Sequence, residues 1–103
     1  MVLLAIKYIE DNYYSNELSI NYISNKLEVT SSYLSKLLKK ETGLSFIDYL
    51  TKIRIEKAMY IMEDPAVKIY DVAELVGYSN QHYFCRAFKK VVGVSPTEYK
   101  RGK

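Results

Sequence analysis

The chain has 103 residues, 49% of them hydrophobic, enough to bury one compact core or two small dependent ones. No apolar run approaches the ~18 residues of a membrane span and no basic-then-apolar leader opens the chain, so a cytoplasmic protein without a membrane partner is expected. The single cysteine excludes an internal disulfide framework, and a net charge of +3 is too small to identify an anionic partner without a look at where the charges lie.

Gly and Pro are scarce and apolar residues recur at three- and four-residue steps, which reads as an all-α fold of about seven helices. The first helix is expected over residues 3–13, with Leu3, Ile6 and Ile9 on one face. After a polar connection, Ser19 caps a short helix carrying Ile20, Ile23 and Leu27. Thr30 caps the next, over 31–42, which Gly43 ends in a left-handed conformation. Ser45-Phe46-Ile47-Asp48 reads as a capping box, with Leu44 stapled to Tyr49. The helix it opens runs over 46–63 and stops before Asp64-Pro65. Ile47, Leu50, Ala58 and Ile61 lie on one side of it, and Phe46, Tyr49, Ile53 and Tyr60 on another. That is the pattern of a strut held by two lobes. Short helices follow at 70–76, 80–92 and 96–100. Lys68 is a poor cap for the first of these, whereas Ser95-Pro96-Thr97-Glu98 opens the last with a capping box, Pro96 at the first helical position and Val94 facing Tyr99. The chain therefore divides as one domain, 1–103, with a first lobe (3–44), a linker helix (45–63) and a second lobe (66–101).

The two lobes repeat one another. Tyr33, Lys39, Lys40, Gly43, Ser45 and Tyr49 recur 50 positions on as Tyr83, Lys89, Lys90, Gly93, Ser95 and Tyr99. Upstream the offset is 49, pairing Ile20 with Ile69, Ile23 with Val72, Leu27 with Val76 and Thr30 with Ser79, so one extra residue sits near Ser79 and Asn80. Two copies are too few for a solenoid. They indicate a small helical module used twice, whose shared surface chemistry is its common function.

On a helical wheel Ser32, Ser35, Lys36 and Lys39 fall within about 100° of arc, opposite Leu34, Leu37 and Leu38. In the second copy His82, Cys85, Arg86 and Lys89 oppose Phe84, Ala87 and Phe88. No acidic residue occurs from Val29 to Lys40 or from Gly77 to Lys90. Each copy thus pairs a short helix with a longer one that carries small polar groups first and bases farther along. This is what a major-groove reader requires, because the groove admits one helix whose N-terminal residues reach base edges while its bases meet phosphates. The candidate DNA-binding set is Ser31, Ser32, Ser35, Lys36, Lys39, Lys40, Asn80, Gln81, His82, Cys85, Arg86, Lys89 and Lys90. Arg86 suits bidentate donation to guanine, and Asn80 and Gln81 suit adenine. Lys39, Lys40, Lys89 and Lys90 suit phosphates. The competing reading is a helical protein-interaction module whose basic faces dock an acidic partner. Repetition and the missing acids favour DNA.

At these residues the chain resembles the DNA-binding region of AraC/XylS-type transcription regulators. The second half matches through Ile69, Val72, Ala73, Gly77, Tyr78, Tyr83, Phe84, Arg86, Phe88, Lys89, Gly93, Pro96 and Tyr99. The first half matches through Leu34, Lys39-Lys40-Glu41-Thr42-Gly43, Tyr49-Leu50, Arg54 and Ala58. The resemblance spans about residues 3–101. It implies two helix-turn-helix units joined by a long helix, with Ser32, Ser35 and Lys36 facing bases in the first unit and Gln81, His82 and Arg86 in the second. It further implies a C-terminal output domain, as in YesN-like response regulators, that works with RNA polymerase and with an N-terminal regulatory or receiver domain not contained in this chain. Ser24 and Glu28 stand where the family has a small residue and Gly, Leu38 where it has Phe, and Lys100 where it has Arg.

Other chemistries find little support. His82 is the only histidine, with no Cys or carboxylate at metal-ligand spacing, so no metal or cofactor is expected. No Ser/His/Asp arrangement, phosphate loop or carboxylate pair suggests an enzyme. Cys85 reads as a packing residue, Arg54 as an ion-pair or capping partner in mid-strut, and Tyr33 and Tyr83 as flanking phosphate contacts or simple packing.

Overall fold

Seven α-helices form among residues 1–102, the part of the chain that the computed structural model describes: α1 (Val2–Asn12), α2 (Ile20–Lys26), α3 (Ser31–Thr42), α4 (Phe46–Ile61), α5 (Ile69–Leu75), α6 (Gln81–Val92) and α7 (Pro96–Arg101). Their starts are set by side-chain oxygens that satisfy otherwise orphaned backbone N–H groups. The Ser19 hydroxyl accepts from Tyr22 N at 3.0 Å, Thr30 from Tyr33 N at 3.1 Å, and Ser45 from Asp48 N at 3.1 Å. Ser95 makes the reciprocal box, accepting from Glu98 N at 3.2 Å while its own N–H donates to Glu98 Oε1 at 3.1 Å. The latter bond is the main cause holding the Glu98 carboxyl below its ordinary pKa. At Ser45 only the forward bond forms, so the expected box there is half a box; Asp48 is one methylene shorter than Glu98 and reaches back less far. Lys68 caps α5 with no side-chain bond, as its chemistry requires. The α4 helix ends two residues earlier than expected, and Asp64 Oδ1 instead accepts from Ala66 N at 2.9 Å in the following turn.

Two apolar clusters fill the molecule, and α4 is a wall of both. Phe46, Leu50 and Ile53 close the first against Ala5, Ile9, Leu18, Ile23, Leu34 and Leu38. Ile55, Ala58 and Met62 close the second against Val72, Ala73, Val76, Phe84 and Phe88. Burying each Leu, Ile or Phe contributes roughly 1.5–3 kcal/mol. The strut is thus shared both along its length and around its girth, the residues that face the second cluster lying about 145° around the helix from those that face the first. Ile47 and Tyr60, expected to be inward, are 64% and 74% exposed. Leu3 is likewise exposed, because the buried stripe of α1 runs through Ala5 and Ile9, with Val2, Ile6 and Tyr13 beside it, and Leu3 lies about 140° around the helix from the line through Ala5 and Ile9. In the second cluster a run of rings, Tyr78–Phe84–Phe88–Tyr99, packs at tilted to edge-on angles with centroid separations of 5.6, 5.8 and 5.4 Å. Lys100 Nζ donates to the Val67 carbonyl and ties α7 back to the turn before α5.

The lobes meet at a small joint. Arg54, in the middle of α4, donates from Nε to the Tyr13 carbonyl and from a terminal nitrogen to the Ser15 carbonyl, both at 2.8 Å, so it caps the end of α1. Its guanidinium carbon lies 5.3 Å from the centroid of the Tyr78 ring, a cation–π contact with the second lobe. Tyr13 packs against both clusters. The molecule measures 44 × 22 × 20 Å, with the ~24 Å of α4 between its two ends.

Two left-handed backbone positions test this packing. Glu28 sits at φ 59°, where a side chain costs about 1–2 kcal/mol. Glu28→Gly should raise the urea midpoint, by a gain of about 1 kcal/mol with an unchanged slope. Gly77 has φ 101°, and a Cβ there would lie 2.7 Å from the Tyr13 carbonyl oxygen and 3.0 Å from the Arg54 guanidinium, whereas one at Gly43 would meet nothing within 4 Å. Gly77→Ala should therefore destabilise the fold by at least about 2 kcal/mol more than Gly43→Ala, read from the same titrations.

Candidate nucleic-acid interface

Each long helix that carries the acid-free face is held by a shorter one, α3 by α2 and α6 by α5, through the same backbone turn. Val29 N donates to the Ser24 carbonyl at 3.0 Å, and Tyr78 N donates to the Ala73 carbonyl at 2.9 Å. Glu28 and Gly77 occupy the equivalent left-handed positions. The equivalence at an offset of 49 therefore extends through Tyr78. Because Thr30 caps α3 and Asn80 caps α6, Thr30 corresponds to Asn80, not to Ser79; Ser79 is the extra residue.

The two turns reach this geometry with different chemistry. In the second lobe Ala73 packs without polar atoms. In the first, Ser24 is buried, yet its hydroxyl donates to the Asn21 carbonyl at 3.1 Å and lies 3.1 Å from the Ser31 hydroxyl. Ser31 in turn donates to Asn21 Oδ1. This bridge satisfies the buried Ser24 hydroxyl, and it commits Ser31 to holding α2 on α3. Its only signal in the sequence is a serine on the apolar side of α2.

The remaining candidates divide cleanly by exposure. Ser32, Ser35, Lys36, Lys39 and Lys40 are exposed on α3, over the buried Leu34 and Leu38. Gln81, His82, Arg86, Lys89 and Lys90 are exposed on α6, over the buried Phe84 and Phe88. Tyr33 and Tyr83 flank the two faces at 52% and 63% exposure. Asn80 is exposed, but its Oδ1 accepts from His82 N at 2.8 Å, so its carboxamide caps α6. Cys85 is half-buried against the second cluster, and burial pushes its thiol pKa up.

Neither face has an acidic residue in its first turn, and both helices place two lysines in the last. Lysines there also complement the carbonyl end of the helix, which accounts for part of their placement. An open groove of about 530 Å³ runs between α3 and the start of α4, lined by Ser35, Lys36, Lys39, Lys40, Ser45 and Phe46. Among the described residues, no group of three or more His, Cys, Asp or Glu gathers where a metal ion would bind, and no helix is long and apolar enough to cross a membrane.

Comparison with known proteins agrees with this architecture. A family model described as a helix-turn-helix domain matches residues 23–102. The Msm operon regulatory protein of Streptococcus mutans is 33% identical over 96 residues, which are 93% of this chain and 34% of that protein, so the chain spans about a third of that relative's length. The C-terminal domain of AraT, a response regulator from Geobacillus stearothermophilus, is 43% identical with a TM-score of 0.96, over 99% of this chain and 84% of that one. At 14% identity the DNA-binding domain of AdpA, solved in complex with a target DNA, shares the fold with a TM-score of 0.90 over 98% of this chain and 90% of that one. The two turn-linked helix pairs, the shared strut and these matches give one conclusion: the chain belongs to the AraC/XylS-type helix-turn-helix family, the DNA-binding domains of transcription regulators and not enzymes.

Proposed function

We propose that this chain binds double-stranded DNA sequence-specifically by placing α3 and α6 in adjacent major-groove segments, as the output domain of a bacterial transcription regulator. The observation that carries this reading is the repeated exposed face, polar at the helix start and basic toward its end, with no acidic residue from Val29 to Lys40 or from Gly77 to Lys90. Successive major-groove faces lie about 34 Å apart, and a molecule 44 Å long is able to span them with one recognition helix toward each end of α4. Any mismatch would be met by bending the duplex, at a cost of order 1–6 kcal/mol.

Ser32, Ser35, Lys36, Gln81, His82 and Arg86 read base edges in this scheme. Lys39, Lys40, Lys89 and Lys90 neutralise phosphates, and the exposed hydroxyls of Tyr33 and Tyr83 bond to the backbone on either side. Ser31 and Asn80 act behind this surface, fixing the turn and the helix start. The resemblance to response-regulator domains supports a regulatory or receiver domain and RNA polymerase as further partners of the whole protein, in the cytoplasm.

Selection of duplexes from a random pool, followed by titration of matched and mismatched sites, tests the assignment. Arg86→Ala should cost about 1–3 kcal/mol and relax preference at one base position, while Lys89→Ala should weaken all sequences about equally. A Lys89 variant that altered base preference alone would contradict its role. Affinity should also fall steeply with salt, and replacing Lys39, Lys40, Lys89 and Lys90 by Gln should flatten the log–log slope by about 0.9 for each phosphate no longer neutralised.

A further inference from the structure

We infer that Arg54 is a positioning residue that sets the separation and relative rotation of α3 and α6. The assignment rests on the proposed docking of both helices on one duplex, and it concerns a residue outside the surface that would touch DNA. Arg54 joins three parts of the chain that are far apart in sequence. Its two 2.8 Å bonds to the Tyr13 and Ser15 carbonyls grip the α1–α2 connection of the first lobe. Its guanidinium carbon lies over the Tyr78 ring, 5.3 Å from the centroid, in the turn that leads through Ser79 to the cap of α6. Gly77 leaves no room for a side chain between them, since a Cβ would stand 2.7 Å from the Tyr13 oxygen.

Beside this clasp the lobes do not close on each other. A cavity of about 420 Å³ separates them, lined by Tyr14, Ser15 and Asn16 on one side and by Tyr70, Glu74 and Gln81 among others on the opposite side. Gln81 is the first residue of α6, so a rotation that opens or shuts this crevice moves a recognition helix. With open space beside it, the inter-lobe angle depends on directional bonds at the joint. A guanidinium is well suited to such a joint, being planar, charged even where burial lowers its pKa, and fixed in the directions along which it donates. Both acceptors are backbone carbonyls, which hold the lobe as a rigid body where a mobile side chain would not.

Two measurements test this. Spin labels at the exposed positions Asn25→Cys and Thr97→Cys, in a Cys85→Ser background, report the inter-lobe distance without DNA. Wild-type Arg54 should give one narrow distribution, and Arg54→Met should broaden it about twofold with helical content retained. Should Arg54→Met fail to fold, Tyr78→Leu removes the ring and keeps both carbonyl bonds, and it should broaden the same distribution. The second measurement uses the duplex selected by the wild type, with single base pairs inserted or deleted between its two contacted segments, each turning the second segment by about 34°. The wild type should lose about tenfold in affinity per step and Arg54→Met less than about threefold, with binding to a duplex carrying one segment unchanged. A variant distribution as narrow as the wild type's, a wild-type distribution already broad, or an equal spacing penalty overturns the assignment. Absence of any duplex binding by the wild type would instead overturn the proposed function, and the label distances would still decide the role of Arg54.

Discussion

Neither lobe of this protein can close its own core, and that constraint organises the rest. Each consists of three short helices, too few to surround an apolar interior, and each completes it with half of α4. Phe46, Leu50 and Ile53 belong to one interior; Ile55, Ala58 and Met62 belong to the other. The boundary falls between Ile53 and Ile55, at Arg54. Its guanidinium therefore stands where the two apolar walls change over, which is where bonding to backbone carbonyls displaces the least packing. A helix apolar around most of its girth is otherwise a solubility hazard. Sharing it between two lobes buries most of that girth, leaving Ile47 and Tyr60 as its exposed apolar positions.

The repeated module shows how one geometry is reached by two chemistries. A left-handed residue and a backbone hydrogen bond close the turn in both lobes. The first lobe then adds a polar bridge, Ser24–Asn21–Ser31, and accepts a strained Glu28. The second uses Ala73, Gly77 and a chain of rings packed at tilted to edge-on angles. A buried hydroxyl is costly unless it is bonded, and Ser24 is bonded, so the first turn is specified by satisfied polar groups where the second is specified by close packing. Both solutions leave the outer face of the longer helix free of structural duty. That freedom is what allows Ser32, Lys36, His82 and Arg86 to differ between copies without disturbing either core.

Much of this was legible in the chain itself, because its cues are local. Ser19, Thr30, Ser95 and Gly43 act within one turn of backbone, so the helix starts and stops they encode follow from a handful of neighbouring residues. The two acid-free faces follow from helical periodicity alone. Local cues also misled where a shape or length mattered: Asp48 is too short to complete a box, Leu3 is apolar but off the buried stripe, and Thr30 pairs with Asn80 because the inserted Ser79 precedes the cap.

The primary structure by itself determined that two copies of a basic, cored helix pair exist and that a long apolar helix joins them, since composition and spacing along one segment carry that information. Tertiary structure decided which residues of the strut serve which lobe, that Ser31 and Asn80 brace the surface while their neighbours face outward, and that Arg54, Tyr13, Gly77 and Tyr78 meet at all. These contacts join positions up to about 65 residues apart through backbone carbonyls and ring faces, groups whose bonding directions exist only once the lobes are in place.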